Sequence, residues 1–472
     1  MKKAHFIGIC GVGMSATAKL LKDLGWHITG SDDNFYPPGS ELVKRYDIPF
    51  FQGYKAENIP GEVDLIVIGK NAKLTPEENK EVSAAMESGV TIRSFPEVLE
   101  QLVTDKHSVV IAGSYGKSTC TGLLAWCLLH SGKDPSYFLG AIPINTGMET
   151  ACIGSGDIFV LEGDEYPAAN WDKTSKFLFY HPKDVLLTSA AHDHVNVFPT
   201  HDEYLVPFKT LLSLMPPEGL VVASADDESA RALARTHPGN VTLYGLTHPE
   251  SQWSARNIVF GKTTTFELVR GGKSVVALST PLLGAHNIQN IVGVSALLIE
   301  KDLLTPDELT EGIQSFTGIK RRLELLSPTS RVPIYEGFGS SYEKARAAIE
   351  ALRLHFPERR LIVIFEPHTF SWRNRNALSW YDNVFAGSDM VLVYEPATQG
   401  ADTHKQLTQE EIVARIQQGR LTTHAIHTEA DGLSILKQEL DENDVVLLLT
   451  SGNLGGLRTS IPQLVEMQFP MR

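Results

Sequence analysis

Cysteine is scarce in this chain, and the few present form no pattern. Cys10, Cys120, Cys127 and Cys152 are the four among 472 residues. They have neither metal-type spacing nor the density of a disulfide scaffold, which fits a reducing compartment. Cys120 and Cys127, seven apart on a helix-like run, read as small core residues. Long apolar runs are missing too, and no segment suffices to cross a bilayer. Met1-Lys-Lys-Ala-His-Phe-Ile7 leads straight into a strand without an apolar leader. A basic excess is also lacking. The formal net charge is −14, which argues against a nucleic-acid partner, because such binding needs a cationic face. The expectation is a soluble cytoplasmic protein with neither membrane nor nucleic acid as partner, its oligomeric state left open. Polyanionic small ligands stay possible, since a pocket can be positive on an acidic protein.

What is there begins with composition. At 42% apolar and 21% charged residues the chain is ordinary folded material, long enough for two or three domains. The central signal is Ile111-Ala-Gly-Ser-Tyr-Gly-Lys-Ser-Thr119. The strand-like run Ser108–Ala112 precedes it and the helix-like run Thr121–Leu129 follows. A glycine loop between strand and helix makes a phosphate cradle, in which backbone N–H groups and the positive helix end face the anion. Lys117 would reach the terminal phosphates and the Ser118 hydroxyl would reach Mg²⁺. The loop is shorter than the usual pattern, with Ile111 where the first glycine is expected and Gly113 opening it. The bland alternative is an ordinary turn with a solvated lysine.

A second glycine turn lies near the start. Ala4–Ile9 reads as a buried strand, and Gly11-Val-Gly-Met-Ser-Ala16 matches the dinucleotide-type turn before a helix to about Leu24. The next strand, Trp26–Asp32, ends in Asp32-Asp33, where a nicotinamide enzyme would hold a ribose. The turn alone indicates a pyrophosphate-like group without saying which. A further strand at Val63–Ile68 and a helix from Thr75 to Ser88, opened by Thr75-Pro76, complete this unit with the strand Val90–Ser94.

In the middle of the chain, strand Ile158–Leu161 delivers Glu162, Asp164 and Glu165 to its carboxyl end, where open α/β sheets bind ligands. The strand within Lys183–Ser189 does the same for His192, Asp193 and His194. A lysine, a hydroxyl, carboxylates and a histidine on one edge suit an Mg-nucleotide centre, with Asp193 as an alternative support for a neighbouring imidazole. Towards the C-terminus, helix Tyr342–His355, strands Arg360–Phe365, Met390–Tyr394 and Asp444–Leu449, and helix Thr408–Gln417 read as a doubly wound sheet. Its strand ends carry Glu366-Pro-His-Thr-Phe-Ser-Trp372, Glu395-Pro396 and Thr450–Gly456, expected to face one crevice.

Taken together, six runs in order resemble the Mur ligases, ATP-dependent amide-forming enzymes of peptidoglycan synthesis. They are Gly8–Ser15, Gly113–Thr119, Val160–Glu165, Asp193-His194, Gly284-Ala-His-Asn-Ile-Gln-Asn290 and Lys320-Arg-Arg-Leu-Glu324. The resemblance implies an α/β fold of three domains. These are a Rossmann-like domain at 1–106, a central P-loop domain at 107–327 and a doubly wound Rossmann-like domain at 328–472 that closes over ATP and the amino substrate. It implies ATP and Mg²⁺ as cofactors, and UDP-N-acetylmuramate with a peptide or amino acid as substrates. Gly11, Val12, Gly13, Met14 and Ser15 would hold the UDP-sugar diphosphate, with Ser31 and Asp32 near the uridine. Gly113, Ser114, Tyr115, Gly116, Lys117, Ser118 and Thr119 would bind ATP, with His286, Asn287 and Asn290 on the adenine side and Arg321 beyond. Ser118, Glu162 and His194 would be metal ligands. Lys117, Glu162, His194 and Arg322 would carry the chemistry. Arg321 or Arg322 would stabilise the acyl phosphate or else pair with Glu324.

Asp172-Lys-Thr-Ser-Lys-Phe177 is similar to a stretch of the branch that adds a preformed peptide, and the other branch adds a single L-alanine. Some members carry a carbamylated lysine about fifteen residues after the Asp-His histidine. Lys209 falls there and is expected to be an ordinary lysine. One loop departs from the family. Glu336-Gly-Phe-Gly-Ser-Ser-Tyr342 replaces a second acid, two histidines and a proline, which leaves open a changed amine or a nucleotide-binding homologue without turnover. A nicotinamide oxidoreductase rests on the glycine turn alone.

Overall fold

The computed structural model describes residues 1–33, 35, 39–194, 197–397 and 405–471. Three parallel or mostly parallel sheets organise the chain, and each is built from short runs that are apolar at nearly every position. Val109, Val110, Ile111 and Ala112 are all fully buried. That pattern belongs to strands covered by helices on both faces.

The chain divides into two compact units, the second comprising Val259–Thr265, Pro281–Asn287 and Gly318–Arg472. The first unit holds two sheets. In one, the strands run Phe50–Gln52, His27–Asp32, Lys3–Ile7, Leu65–Ile68, Thr91–Arg93, all parallel. The order reverses between Lys3–Ile7 and Leu65–Ile68, which is the switch point where open sheets bind ligands. The ten-stranded sheet sets His107–Ala112 between Asp184–Leu187 and Ile158–Glu162. This brings the phosphate loop, the 162–165 acids and the 192–194 triplet to one edge. The sheet continues through Leu220–Ser224 and Asn240–Tyr244 to the strands Trp253–Val259, Thr264–Arg270 and Lys273–Thr280.

The second unit is a six-stranded sheet in the order Arg322–Leu325, Ile334–Gly337, Asp444–Leu449, Arg360–Phe365, Met390–Tyr394, Thr422–Ile426. Arg322–Leu325 already belongs to it, pairing antiparallel with Ile334–Gly337, so the expected boundary at 327/328 falls just after its first strand.

Two local expectations change. The helix expected from Thr75 starts at Lys80 and ends at Glu87. The Asn79 side chain accepts from both Glu81 N and Val82 N, a stronger start than Thr75-Pro76 supplies. The departing loop is well formed. Ser341 caps the helix Tyr342–His355 by accepting from Lys344 N, and the Trp372 indole donates to Gly339 O at 2.7 Å. Serine is a preferred residue at such a helix start.

Candidate functional site

The phosphate loop is shaped by what its glycines exclude. Gly113 has φ +139°, and a Cβ there would lie 2.2 Å from Thr188 Oγ1. Gly116 has φ +81°, and its Cβ would lie 2.6 Å from Asn290 Oδ1. Neither position admits a side chain, so the backbone turns sharply into the helix Lys117–His130, whose start has no side-chain cap. Its first N–H groups are left to an anion. Around the loop, Ser114 Oγ donates to Ala191 O at 2.6 Å, Tyr115 N donates to Ser189 Oγ at 3.0 Å, and the Thr188 hydroxyl bonds Tyr115 O.

Two contact sets meet on this edge. Ser118 Oγ donates to Glu162 Oε1 at 2.7 Å, and Gly140 N donates to the other oxygen at 2.8 Å. Lys117 Nζ lies 2.9 Å from Glu165 Oε2 and also donates to Gly113 O. Glu165, wholly buried, further holds His194 Nε2 at 3.2 Å and Tyr204 OH at 3.1 Å. Burial works to raise its pKa, but Lys117 and His194 outweigh it and hold the carboxyl well below the usual carboxylate range. Burial likewise opposes the charge on Lys117, and Glu165, Asp164 and Glu162 overcome it, raising the lysine above its ordinary value. Burial, then Glu165, pushes the Tyr204 hydroxyl far up, so it stays a donor. His194 turns its Nδ1 to Tyr166 OH at 3.0 Å, with ring centroids 4.4 Å apart.

The expected metal trio is thus divided in this structure. Ser118 and Glu162 are bonded to one another, while both His194 nitrogens engage Tyr166 and Glu165. Among the described residues no group of three acidic, cysteine or histidine side chains forms a metal cage. A hydroxyl and carboxylate oxygens are nonetheless the hard donors that Mg²⁺ takes together with phosphate and water, without a full protein cage. The residues present fit Mg-ATP.

At the first sheet's glycine turn, helix Val12–Asp23 follows Gly11 with no side-chain cap. Gly13, Met14 and Ser15 form its first turn, and Ser15 Oγ folds back onto Gly11 O. Asp32, nearly buried, accepts from Cys10 N at 2.8 Å and Tyr54 OH at 3.2 Å, so it braces the turn. Ser31 is fully buried and donates to Glu81 Oε1 at 2.7 Å. Its side chain is committed to the domain interior.

Asn290 borders the phosphate loop at Gly116. His286 and Asn287 fall in the second unit, where Asn287 Nδ2 donates to Leu283 O and His286 is exposed. Arg321 is held within the second unit by Glu336 at 3.0 Å, Thr450 O at 3.1 Å and Gly452 O at 2.9 Å. Only its backbone N–H meets Glu324. Arg322 lies over the Phe338 ring at 4.8 Å. The strand ends at Glu366 and Thr450 do meet, with Leu454 N donating to Glu366 Oε2 at 3.1 Å. Lys209 is exposed on helix His201–Ser213, facing a shallow recess with Leu212, Met215 and Pro238.

Sequence reasoning gave no role to Glu165, Tyr166 or Tyr204. Glu165 sat in the recognised acidic triplet, three positions past Glu162. Tyr204 reaches the site from a helix 39 residues away, and no spacing rule announces it.

Three family models match the chain in succession. Residues 3–107 match "Mur ligase family, catalytic domain", 111–298 match "Mur ligase middle domain", and 321–452 match "Mur ligase, glutamate ligase domain". The UDP-N-acetylmuramate–L-alanine ligase of Desulfitobacterium hafniense is 29% identical over 95% of this chain and 97% of its own length. The UDP-N-acetylmuramate–L-alanyl-γ-D-glutamyl-meso-2,6-diaminoheptandioate ligase of Escherichia coli is 28% identical over 97% of each. The crystal structure of a UDP-N-acetylmuramate–alanine ligase from Thermotoga maritima superposes with a TM-score of 0.82, covering 99% of this chain and 100% of that one at 20% identity. No helix among the described residues is long and apolar enough to cross a membrane.

Proposed function

This chain belongs to the Mur ligase family of ATP-dependent amide ligases, and from that premise we propose that it joins the carboxylate of UDP-N-acetylmuramate to the amine of a peptide through an acyl phosphate. The observation that carries the reading is the edge where Lys117 and Ser118 stand against Glu165 and Glu162, in the same compact unit as the Gly11 turn.

The loop N–H groups hold the ATP phosphates, and Lys117 offsets charge on the terminal one. Ser118 and Glu162 would hold Mg²⁺, and the chemistry it would supply there is withdrawal of charge from the phosphate oxygens. Glu165 keeps Lys117 and His194 in place, and Tyr204 fixes Glu165 in turn. The carboxylate takes the phosphoryl group, ADP departs, and the amine then attacks the acyl carbon and releases phosphate. The turn at Gly11–Ser15 holds the sugar-nucleotide diphosphate on backbone donors, braced by Asp32.

The Asp172–Phe177 stretch favours a peptide as the amine. A second reading, L-alanine as the amine, draws on the 29% identical relative. The test is ADP release with ATP, Mg²⁺ and UDP-N-acetylmuramate, comparing L-Ala-γ-D-Glu-meso-diaminopimelate with L-alanine. Release only with the tripeptide is expected. Release only with L-alanine moves the chain to the second reading, and release with neither removes both.

A further inference from the structure

Between the two sheets of the first unit, two lysines from different domains flank one tyrosine. Lys70 follows the strand Leu65–Ile68 at the switch point of the first sheet, and its Nζ lies 5.6 Å from the Tyr166 ring centroid. Lys176, from the central domain, lies 5.8 Å from the same centroid and 5.4 Å from the Phe95 ring. Lys176 pairs with Asp164 at 2.6 Å. Lys70 is exposed and makes no ion pair among the described residues. The ring thus has two ammonium groups beside it, of which Lys176 is paired with Asp164.

This arrangement is held in place. Asn170 Nδ2 reaches from the central domain to donate to Asn71 O and Leu74 O, each at 2.8 Å. Leu74 in turn covers the glycine turn at Gly8. On its other side Tyr166 bonds His194, and His194 leads through Glu165 to Lys117. The lysine pair thus connects to the phosphate loop through Tyr166, His194 and Glu165, and lies near the sugar-nucleotide turn through the Asn170 and Leu74 contacts. Burial and then the neighbouring Lys176 work against the charge on Lys70 and Asp164 supports it, with the balance against the charge; a further anion beside the lysines would favour it.

We infer that Lys70 and Lys176 form an anion clamp over Tyr166 that takes the carboxylate of the sugar nucleotide and presents it to the phosphate loop. The inference rests on the proposed sugar-nucleotide substrate and adds the residues that recognise its acid group. Diphosphate and carboxylate are both anions, and each has its own donors here. Uncapped backbone N–H groups serve the first, and paired ammonium groups serve the second.

The experiment is calorimetric titration of the full chain, without ATP, with UDP-N-acetylmuramate and with UDP-N-acetylglucosamine, which shares the nucleotide, diphosphate and hexose but lacks the carboxylate. Lys70→Ala and Lys176→Met are each expected to weaken UDP-N-acetylmuramate binding about tenfold, as for loss of one charge-assisted contact. Binding of UDP-N-acetylglucosamine stays unchanged, and Lys70→Arg restores most of the affinity. Because Lys70 is exposed and unpaired, its substitution reports binding even if the Lys176 variant folds poorly. Equal weakening of both ligands would assign the lysines to the diphosphate and overturn the clamp. Unchanged binding of both would overturn it as well. Failure of the unaltered chain to bind either nucleotide would remove the sugar-nucleotide reading, and the clamp with it.

Discussion

Helix Val12–Asp23 and helix Lys117–His130 both follow a parallel strand, and both begin at a glycine without a side-chain cap. What surrounds them differs. The first helix begins Val12-Gly-Met-Ser15 without a lysine, and the nearby Asp32 accepts from Cys10 N and Tyr54 OH. The second starts with Lys117-Ser118 and faces Glu162 and Glu165. A group that is only held needs fixed donors. A phosphoryl group that is transferred needs a cation and oxygen ligands aimed where charge develops. Under the proposed function, the difference separates a binding turn from a reacting one, although both helices start at a glycine without a side-chain cap. Helix starts closed by their own side chains form a third kind. Thr305 caps Pro306–Ser315 in a reciprocal box with Glu308, which leaves fewer N–H groups for a ligand.

The comparison can be broken most sharply at Lys117. Lys117→Met is expected to lower kcat by about 10²–10³-fold, the loss typical of one electrostatic donor. Calorimetric affinity for UDP-N-acetylmuramate should stay put, and a parallel drop would mean that the two turns are not separate in role. Glu165→Gln comes next. It leaves the mostly buried Lys117 ammonium without its charge partner, and denaturant unfolding should show a loss of about 3 kcal/mol.

That loss carries a pH signature. The native Glu165 carboxyl sits below its ordinary value of about 4.3. Its contribution is therefore complete above that pH and fades as pH falls through the native value. The stability gap between the unaltered chain and Glu165→Gln should narrow in acid, and a gap constant from pH 7 to pH 3 would contradict the pairing. At the binding turn, Asp32→Asn should weaken UDP-N-acetylmuramate about tenfold by loosening the Cys10 N–H, with the KM for ATP unaltered in steady-state assays. Thr305→Ala is the smallest and serves as the control. It should cost about 1 kcal/mol of stability and leave both nucleotide affinities as they were.

The strand–loop–helix around Gly113 was legible because its signal is local: strand, glycines, lysine and helix follow one another closely in the chain. The helix Tyr342–His355 was legible for the same reason and has the expected ends. The strands of residues 220–280 went unread. In Lys273–Thr280 exposed and buried positions mix without a clean alternation, so no period of two stands out. In the site, the acids at 162–165 could be brought to the right edge, but not told apart. Glu162 meets Ser118 and Glu165 meets Lys117 and His194 because of how the strand ends turn, which residue type does not encode. Ser31 meets the turn through its backbone, accepting from Gly8 N and Ile9 N. Its neighbour Asp32 does face the turn, while side chains alternate along a strand and Ser31 points to Glu81.

The central claim is that the turn at Gly11 and the loop at Gly113 serve one reaction, with the carboxylate held at the first end phosphorylated at the second. It is tested by turnover of UDP-N-acetylmuramate whose lactyl carboxylate carries ¹⁸O, with ATP, Mg²⁺ and the accepted amine, followed by mass analysis of the phosphate released. The account predicts one ¹⁸O from the carboxylate in each phosphate. Unlabelled phosphate alongside amide product would contradict it.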